Sequence, residues 1–214
     1  MATIPYIEEK YVRSNYDTIA VKQSAIKFDV WEKVKQYILS LPSDSLVAEI
    51  GFGTGKNMII RKDIKFKGCD NSEEIVKRGI LNNLDVVSGD VCAIPFTDNQ
   101  FDHTMCVAVI HHLSTNSRRR KALEELVRIT KPGGSILIEV FSNQYINKGE
   151  HKDKVVYECD DDQNAYLKLG NNKLYYYGFK KGELEDIIVT LNNVTIIESF
   201  NECEEWGIIL QKSK

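Results

Sequence analysis

The chain has 214 residues, of which 43% are hydrophobic and 28% charged, and its formal net charge is −3. This length is ample for one sizeable core and short of two full domains, so we expect a single domain over residues 1–214. The small negative charge excludes a surface that attracts polyanions everywhere, so any contact with nucleic acid must come from local patches or from a partner.

Two other classes of protein are disfavoured. No apolar run approaches the roughly 20 residues that span a bilayer, and the first residues lack the basic-then-apolar order of a secretory signal. The five cysteines include no C-x-x-C pair, so neither a metal site nor a disulfide framework is expected. We therefore expect no membrane contact and a cytoplasmic protein, with a nuclear location also compatible.

The predicted elements alternate between helices and strands. Helical spacing predicts N-terminal helices within 7–40, and a further helix over about 116–130 ends before a Lys-Pro-Gly-Gly turn. Five strands are predicted, at Leu46–Ile50, Phe66–Cys69, Leu84–Ser88, His103–Val109 and Ser135–Phe141. This alternation is typical of an α/β fold with a parallel sheet.

The alternation stops after residue 141. Residues 142–172 are polar and include three consecutive aspartates at 160–162, so we expect an irregular insertion or lid, with a solvated loop as the simpler interpretation. The chain then resumes with a predicted helix over 182–191 and two β-rich runs, Val194–Ser199 and Glu205–Leu210. Their closeness favours an antiparallel pair.

The first strand leads into Glu49 and alternating glycines at 51, 53 and 55. Glycine permits positive φ and close approach of a ligand. A dinucleotide fingerprint would need glycine at position 56, which is Lys56, so a nicotinamide enzyme is disfavoured. G-x-G-x-G after an acidic strand end is instead the S-adenosylmethionine pattern, in which Glu49 would help orient the ammonium group. The alternative is a turn that only joins strand to helix.

Carboxylates also follow the next two strands. Asp70 ends the second, where it can hold both ribose hydroxyls, and Asp90 follows the third, where it can accept from the adenine amino group while Val91 packs on the ring. The alternative for Asp70 is helix capping, for which Asn71 or Ser72 is better suited. The alternative for Asp90 is an ordinary turn residue.

With Ile94-Pro95-Phe96 and Phe101-Asp102, residues 46–141 resemble class I S-adenosylmethionine-dependent methyltransferases. The resemblance implies a Rossmann-like, doubly wound, seven-stranded and mostly parallel sheet whose last strand is antiparallel. Besides Glu49, the residues that the resemblance implies to contact the cofactor are Gly51, Gly53, Asp70, Asp90, Val91 and Val107.

A narrower resemblance is carried by residues 110–115 (IHHLST) and 174–184 (LYYYGFKKGEL). These segments look like the eukaryotic tRNA wobble-uridine carboxymethyl methyltransferases. The family implies methyl transfer to the carboxylate of 5-carboxymethyluridine in tRNA, giving the methyl ester. It also implies a small zinc-binding activator subunit that forms a heterodimer with the enzyme. The family commonly has arginine where Lys27 stands, and lysine keeps the charge but loses the bidentate fork.

A carboxylate acceptor is already ionised near neutral pH, so the reaction needs alignment rather than a strong base. A nearby cation would hold the acceptor. His111, His112, Lys27 or Arg118 could supply this orientation, and His111 ranks first. Capping after a strand is the alternative for His112, and a solvated helix start is the alternative for the basic run 118–121. Tyr16 or Tyr175 could stack on the uridine.

Two other functions remain open. The first is a small-molecule O- or N-methyltransferase, favoured by the acidic composition and the short chain. The second is a non-catalytic subunit that binds the cofactor. Phosphate contacts to tRNA would require a set of cations to cluster on the cofactor-side face, namely Lys27, Arg61, Lys62, residues 118–121, Lys180 and Lys181.

Overall fold

The computed structural model describes residues 4–17, 30–147, 157–159, 161–169 and 172–214. The N-terminal helical segment contains the α-helical turn α1 (Tyr6–Glu8) and the π-helical turn Glu9–Arg13, and residues 14–17 are also helical. The other helices described are α2 (Glu32–Ser40), α3 (Glu73–Leu81), α4 (Asn116–Ile129), α5 (Asn143–Asn147) and α6 (Glu183–Ile188). Residues 18–29 of the predicted helical stretch lie outside the described residues.

The main sheet has seven strands: β1 (Leu46–Ile50), β2 (Lys65–Asp70), β3 (Val86–Ser88), β4 (Phe101–Val107), β5 (Thr130–Phe141), β9 (Val194–Glu202) and β10 (Glu205–Lys212). Their order is β3-β2-β1-β4-β5-β10-β9, and β10 runs antiparallel to both neighbours. This confirms the predicted doubly wound sheet with an antiparallel last strand. The order reverses between β1 and β4, and open α/β sheets bind ligands at such a reversal.

Helices cover both faces of the sheet, and the central strands are correspondingly rich in apolar residues. Val34 and Ile38 of α2 pack on one face, against Val47 of β1. Leu126 and Ile129 of α4 pack on the other. With both faces covered, the strand ends and the loops after them sit on a rigid base. Among the described residues, no helix has the length and hydropathy needed to cross a bilayer.

A second sheet contains β6 (Tyr157–Cys159), β7 (Asn164–Leu169) and β8 (Asn172–Tyr177), all antiparallel. This corrects the expected irregular insertion over 142–172. Ala165, Leu167, Leu174 and Tyr176 share one face of this sheet and pack on Ile146. In β8 the tyrosines between and after these residues, Tyr175 and Tyr177, are also buried and pack in the main core. The strands are short and the segment is rich in polar residues, so the sequence gives little sign of this sheet.

Candidate functional site

A cavity of about 310 Å³ lies at the carboxyl ends of β1, β2, β3 and β4. The structure brings all seven predicted cofactor residues to its wall, namely Glu49, Gly51, Gly53, Asp70, Asp90, Val91 and Val107. The N-terminal helical segment closes another side with Ile4, Glu8, Val12, Arg13 and Tyr16. The sequence analysis did not assign a cofactor role to this segment.

The glycine loop forms the floor of the cavity. Gly51 has φ 75°, and a Cβ built there would overlap the side chain of Val109. Gly53 has φ 53°, and nothing lies within 4 Å of where its Cβ would be. Gly51 therefore permits close packing, whereas Gly53 leaves open space that a ligand can occupy.

Glu49 is a buried carboxyl that lacks full hydrogen bonding. Its Oε1 accepts from Asn57 Nδ2 at 2.6 Å, while Oε2 is buried and has no hydrogen-bond partner among the described residues. Burial raises the pKa of Glu49 to about 8, and the Asn57 hydrogen bond and the charge of Lys56 oppose this rise. Because a buried acceptor without a donor is costly, an ammonium group in the cavity would supply the missing partner. The site fits the charge of S-adenosylmethionine here.

Asp70 is held by the backbone. Its Oδ2 accepts from Gly53 N at 3.2 Å, and its Oδ1 accepts from Ser72 N at 3.0 Å. Burial raises the pKa of Asp70 to about 6. Ser72 is the N-cap of α3 and accepts from Ile75 N, as predicted. Each carboxylate oxygen has a second lone pair, so Asp70 can still accept from a ribose diol.

Asp90 is paired with Arg118. Arg118 Nη2 donates to Asp90 Oδ2 at 2.8 Å, and Arg118 Nε donates to Glu8 Oε2 at 2.7 Å. Glu8 is only 5% exposed, and its Oε1 accepts from Ser114 N. Arg118 lines the cavity as the bridge between two protein carboxylates. This placement does not favour the predicted role of orienting an acceptor carboxylate.

The rest of the basic run is also paired within the protein. Arg119 lies 3.6 Å from the ring centroid of Tyr177, while Arg120 and Lys121 bind carboxylates one turn further along α4. Residues 118–121 therefore do not support the expected cluster of cations on the cofactor side. Elsewhere in that set, Arg61 pairs with Asp63 and Lys180 with Asp162. Lys27 lies outside the described residues.

His111 and His112 are both neutral. Burial lowers the pKa of His112 to about 4 and that of His111 well below its usual value. His112 lines the cavity, whereas His111 does not. The Nδ1 atom of His111 accepts from Phe141 N at 3.1 Å, and its ring stacks on that of Phe141 at 4.2 Å between centroids. Neither imidazole is the cation expected near the acceptor, and the catalytic role of His111 stays a prediction.

The structure adds two cations and an aromatic ring that sequence analysis did not assign to the site. Lys56, Arg13 and Trp31 line the cavity, and Lys56 Nζ lies 5.9 Å from the Trp31 ring centroid. A lysine directly after the last glycine of the loop was the available signal for Lys56. Arg13 and Trp31 carry no comparable local signal, because the fold brings them to the site.

Comparison with known proteins agrees with this geometry. Residues 48–138 match the family model described as a methyltransferase domain. A tRNA (carboxymethyluridine(34)-5-O)-methyltransferase of Arabidopsis thaliana is 41% identical over 138 residues, covering 64% of this chain and 34% of that protein. The Schizosaccharomyces pombe protein of the same name is 30% identical over 227 residues, covering 96% and 98%. The chain spans about a third of the Arabidopsis relative and 41% of a similar Xenopus tropicalis protein.

Solved structures show the same fold. A methyltransferase in complex with the Haloferax volcanii Trm112 methyltransferase activator has a TM-score of 0.68 at 15% identity, covering 95% of this chain and 98% of that one. An S-adenosylmethionine-dependent methyltransferase from Clostridium acetobutylicum has a TM-score of 0.69 at 11% identity, covering 94% and 98%.

Proposed function

Since this chain belongs to the tRNA (carboxymethyluridine(34)-5-O)-methyltransferase family, we propose that it methylates the carboxylate of 5-carboxymethyluridine at the tRNA wobble position, giving the methyl ester. The donor is S-adenosylmethionine. The observation that carries the proposal is the cavity at which Glu49 near the end of β1, Asp70 at the end of β2 and Asp90 after β3 come together.

The residues present suit each part of the donor. Glu49 would accept from the ammonium group, Asp70 from the ribose hydroxyls and Asp90 from the adenine amino group, with Val91 against the ring. When bound, S-adenosylmethionine supplies a methyl group on a positively charged sulfur. The protein then has to hold the acceptor oxygen about 3 Å from that methyl and in line with the sulfur.

The acceptor side of the cavity is aromatic and cationic. Tyr16, Trp31 and His112 line the cavity and offer surfaces on which a uracil ring can stack. The acceptor carboxylate is ionised at neutral pH, so it needs no base from the protein. We assign its orientation to Lys56, with the predicted Lys27 as a second cation. His111 then acts by packing against Phe141, and Arg118 by bracing Asp90.

The same proposal includes an activator subunit. β3 is an edge strand whose Val87 is 37% exposed, and on α3 nearby Ile80 and Leu81 are 58% and 80% exposed. An edge strand with exposed apolar neighbours suits strand addition by a partner. The likeness to a methyltransferase in complex with the Trm112 activator supports this assignment. Among the described residues no group of His, Cys, Asp and Glu could hold a metal, so zinc is expected on the partner.

The partner surface can be tested by co-expression with the activator. Leu81→Asp should abolish co-purification. Ile197→Asp, at a position 59% exposed on the opposite edge strand β9, should not. Equal co-purification of both variants would reject the β3 edge as the docking surface.

The reaction is tested with labelled S-adenosylmethionine, the activator, and tRNA that carries carboxymethyluridine or lacks it. We expect label only on the modified tRNA, and we expect mild base to release it as methanol, because esters hydrolyse under those conditions. Equal labelling of both tRNAs, or base-stable label, would reject carboxylate methylation. Labelling of the free nucleoside as efficiently as the tRNA would favour a small-molecule methyltransferase. The structure is compatible with that function, because residues 118–121 are paired within the protein.

A further inference from the structure

A strip of lysines and tyrosines crosses the surface next to the cavity. The lysine–tyrosine strip consists of Tyr6, Lys10 and Tyr11 from the N-terminal helical segment, Tyr166 and Lys168 from β7, and Lys173 from β8.

The strip is continuous. Lys10 Nζ lies 5.2 Å from the Tyr6 ring centroid and 4.9 Å from that of Tyr11. The ring of Tyr11 packs edge-on against Tyr166 at 5.2 Å, and Lys173 Nζ lies 5.9 Å from the Tyr166 ring. Contacts between these lysines and aromatic rings therefore run from α1 to the small sheet.

The strip places like charges side by side. Lys168 and Lys173 are exposed and directly opposite each other in the β7–β8 ladder. Both ammonium groups can therefore contact the same anionic ligand. At the other end of the strip, Tyr6 is 69% exposed, so its ring is accessible to a flat ligand.

The strip is joined to the cavity. Val12 and Arg13, which follow Lys10 and Tyr11 directly, line the cavity wall. Asn15 Nδ2 donates to the carbonyl of Lys173 at 2.6 Å, which fixes the helical segment to β8. A chain that enters the cavity from this side would therefore pass over the strip.

We propose that the lysine–tyrosine strip binds the single-stranded RNA that flanks the nucleotide in the cavity, with lysines on phosphates and Tyr6 stacked on a base. This inference rests on the proposed function. Proteins that bind single-stranded nucleic acid combine cations that follow the backbone with aromatic rings that stack on bases. Because the net charge of the chain is −3, RNA binding requires such a local patch.

The test compares K10E/K168E/K173E with K35E/K65E/K214E, which makes the same change of charge at exposed lysines on α2, at the amino end of β2 and after β10. Both are assayed as full chains with the activator, on a carboxymethyluridine anticodon stem-loop. We expect the strip variant to raise KM for RNA at least tenfold, with kcat and S-adenosylmethionine affinity unchanged. The slope of log KM against log salt should fall by about 2, at roughly 0.7 per lost phosphate contact.

Two further variants separate charge from stacking. Replacing the same three lysines by glutamine should retain the KM effect in weaker form. Tyr6→Ala should raise KM for RNA by about tenfold without changing the salt slope, because stacking is not a charge effect. An unchanged KM in the strip variant, or an equal rise in the control variant, would overturn the inference.

The outcome remains interpretable if the proposed function fails. If the wild-type chain labels no carboxymethyluridine RNA, binding of the same stem-loop is measured directly, by fluorescence anisotropy, for the wild type and both triple variants. Selective loss of binding in the strip variant supports the strip as an RNA surface. Equal binding by all three proteins rejects it.

Discussion

The hydroxyl of Tyr16 lies 2.8 Å from Nε2 of His112, and this hydrogen bond joins the N-terminal helical segment to the turn after β4. Nδ1 of His112 lies 2.8 Å from the carbonyl oxygen of Tyr175. A carbonyl only accepts, so Nδ1 carries the proton and Nε2 accepts from Tyr16. Both nitrogens are thus occupied, and His112 acts as an anchor for one wall of the cavity.

Tyr16→Phe should lower the free energy of unfolding by about 1 kcal/mol, because the buried Nε2 of His112 loses its donor. Urea unfolding measures this change. Tyr6→Phe, on the same helical segment but 69% exposed, is the control and should change stability by less than about 0.5 kcal/mol. Equal losses in the two variants would show that the Tyr16 bond adds nothing specific.

Glu49 should release a proton when S-adenosylmethionine binds. Burial raises the pKa of Glu49 to about 8, so in the cofactor-free protein at pH 7 about 0.9 of this carboxyl is protonated. Binding the ammonium group requires the carboxylate, so the proton leaves. Calorimetry in buffers of different ionisation enthalpy at pH 7 should detect it. Glu49→Gln should abolish this release. It should also weaken S-adenosylmethionine binding by one to two orders of magnitude, because a hydrogen bond to a charged group contributes about 1.5–3 kcal/mol. Full proton release by the variant would exclude Glu49 as its source.

Arg118→Ala should destabilise the fold and weaken cofactor binding together. It leaves Glu8 buried without its cation and Asp90 without its brace, so we expect a loss of about 2 kcal/mol in urea unfolding. The dissociation constant for S-adenosylmethionine should rise about tenfold by calorimetry. Lys67→Ala removes an exposed pair with Asp85 and should cost less than about 0.5 kcal/mol. Cofactor affinity equal to that of the wild type would contradict the bracing role of Arg118.

Glu139 and Glu205 should make the cofactor-free protein less stable as pH rises. Both are buried, and burial raises their pKa values to about 8 and about 9, with the charge of Glu202 adding to the rise and that of Lys56 opposing it. Between pH 4.5 and these values, the folded protein holds protons that the unfolded chain has lost. Their stabilising effect is therefore complete below about pH 4.5 and is lost as pH rises through 8 to 9.

The free energy of unfolding should then fall from pH 7 to pH 9, by up to about 1.4 kcal/mol per pH unit for each group. Below pH 7 the lowered pKa values of His111 and His112 give a slope of the opposite sign. Urea unfolding across this range measures the slope. The double variant E139Q/E205Q should flatten it, leaving the part contributed by Glu49. Glu73→Gln, at an exposed position, should leave the slope unchanged. A slope that survives in the double variant would assign the pH dependence to other groups.

The sheet was predictable because its information is local. β1 and the second half of β5 are apolar runs, and the alternation of strands with helices along the chain dictates a parallel sheet. The small sheet was missed because its strands are short and lie in a segment rich in polar residues. At the site, Asp70 and Asp90 could be predicted because they lie at and just after the carboxyl ends of β2 and β3, which must face the crevice.

The main sheet and the seven predicted cofactor residues follow from the sequence, because spacing along each strand fixes which residues emerge at its end. The charge states and partners at the site, and the presence of Arg13 and Trp31 in the cavity, depend on the tertiary structure. Burial makes His111 and His112 neutral, and the N-terminal helical segment brings Glu8 to Arg118. These properties depend on desolvation and on contacts between residues about 100 positions apart, which no local pattern encodes.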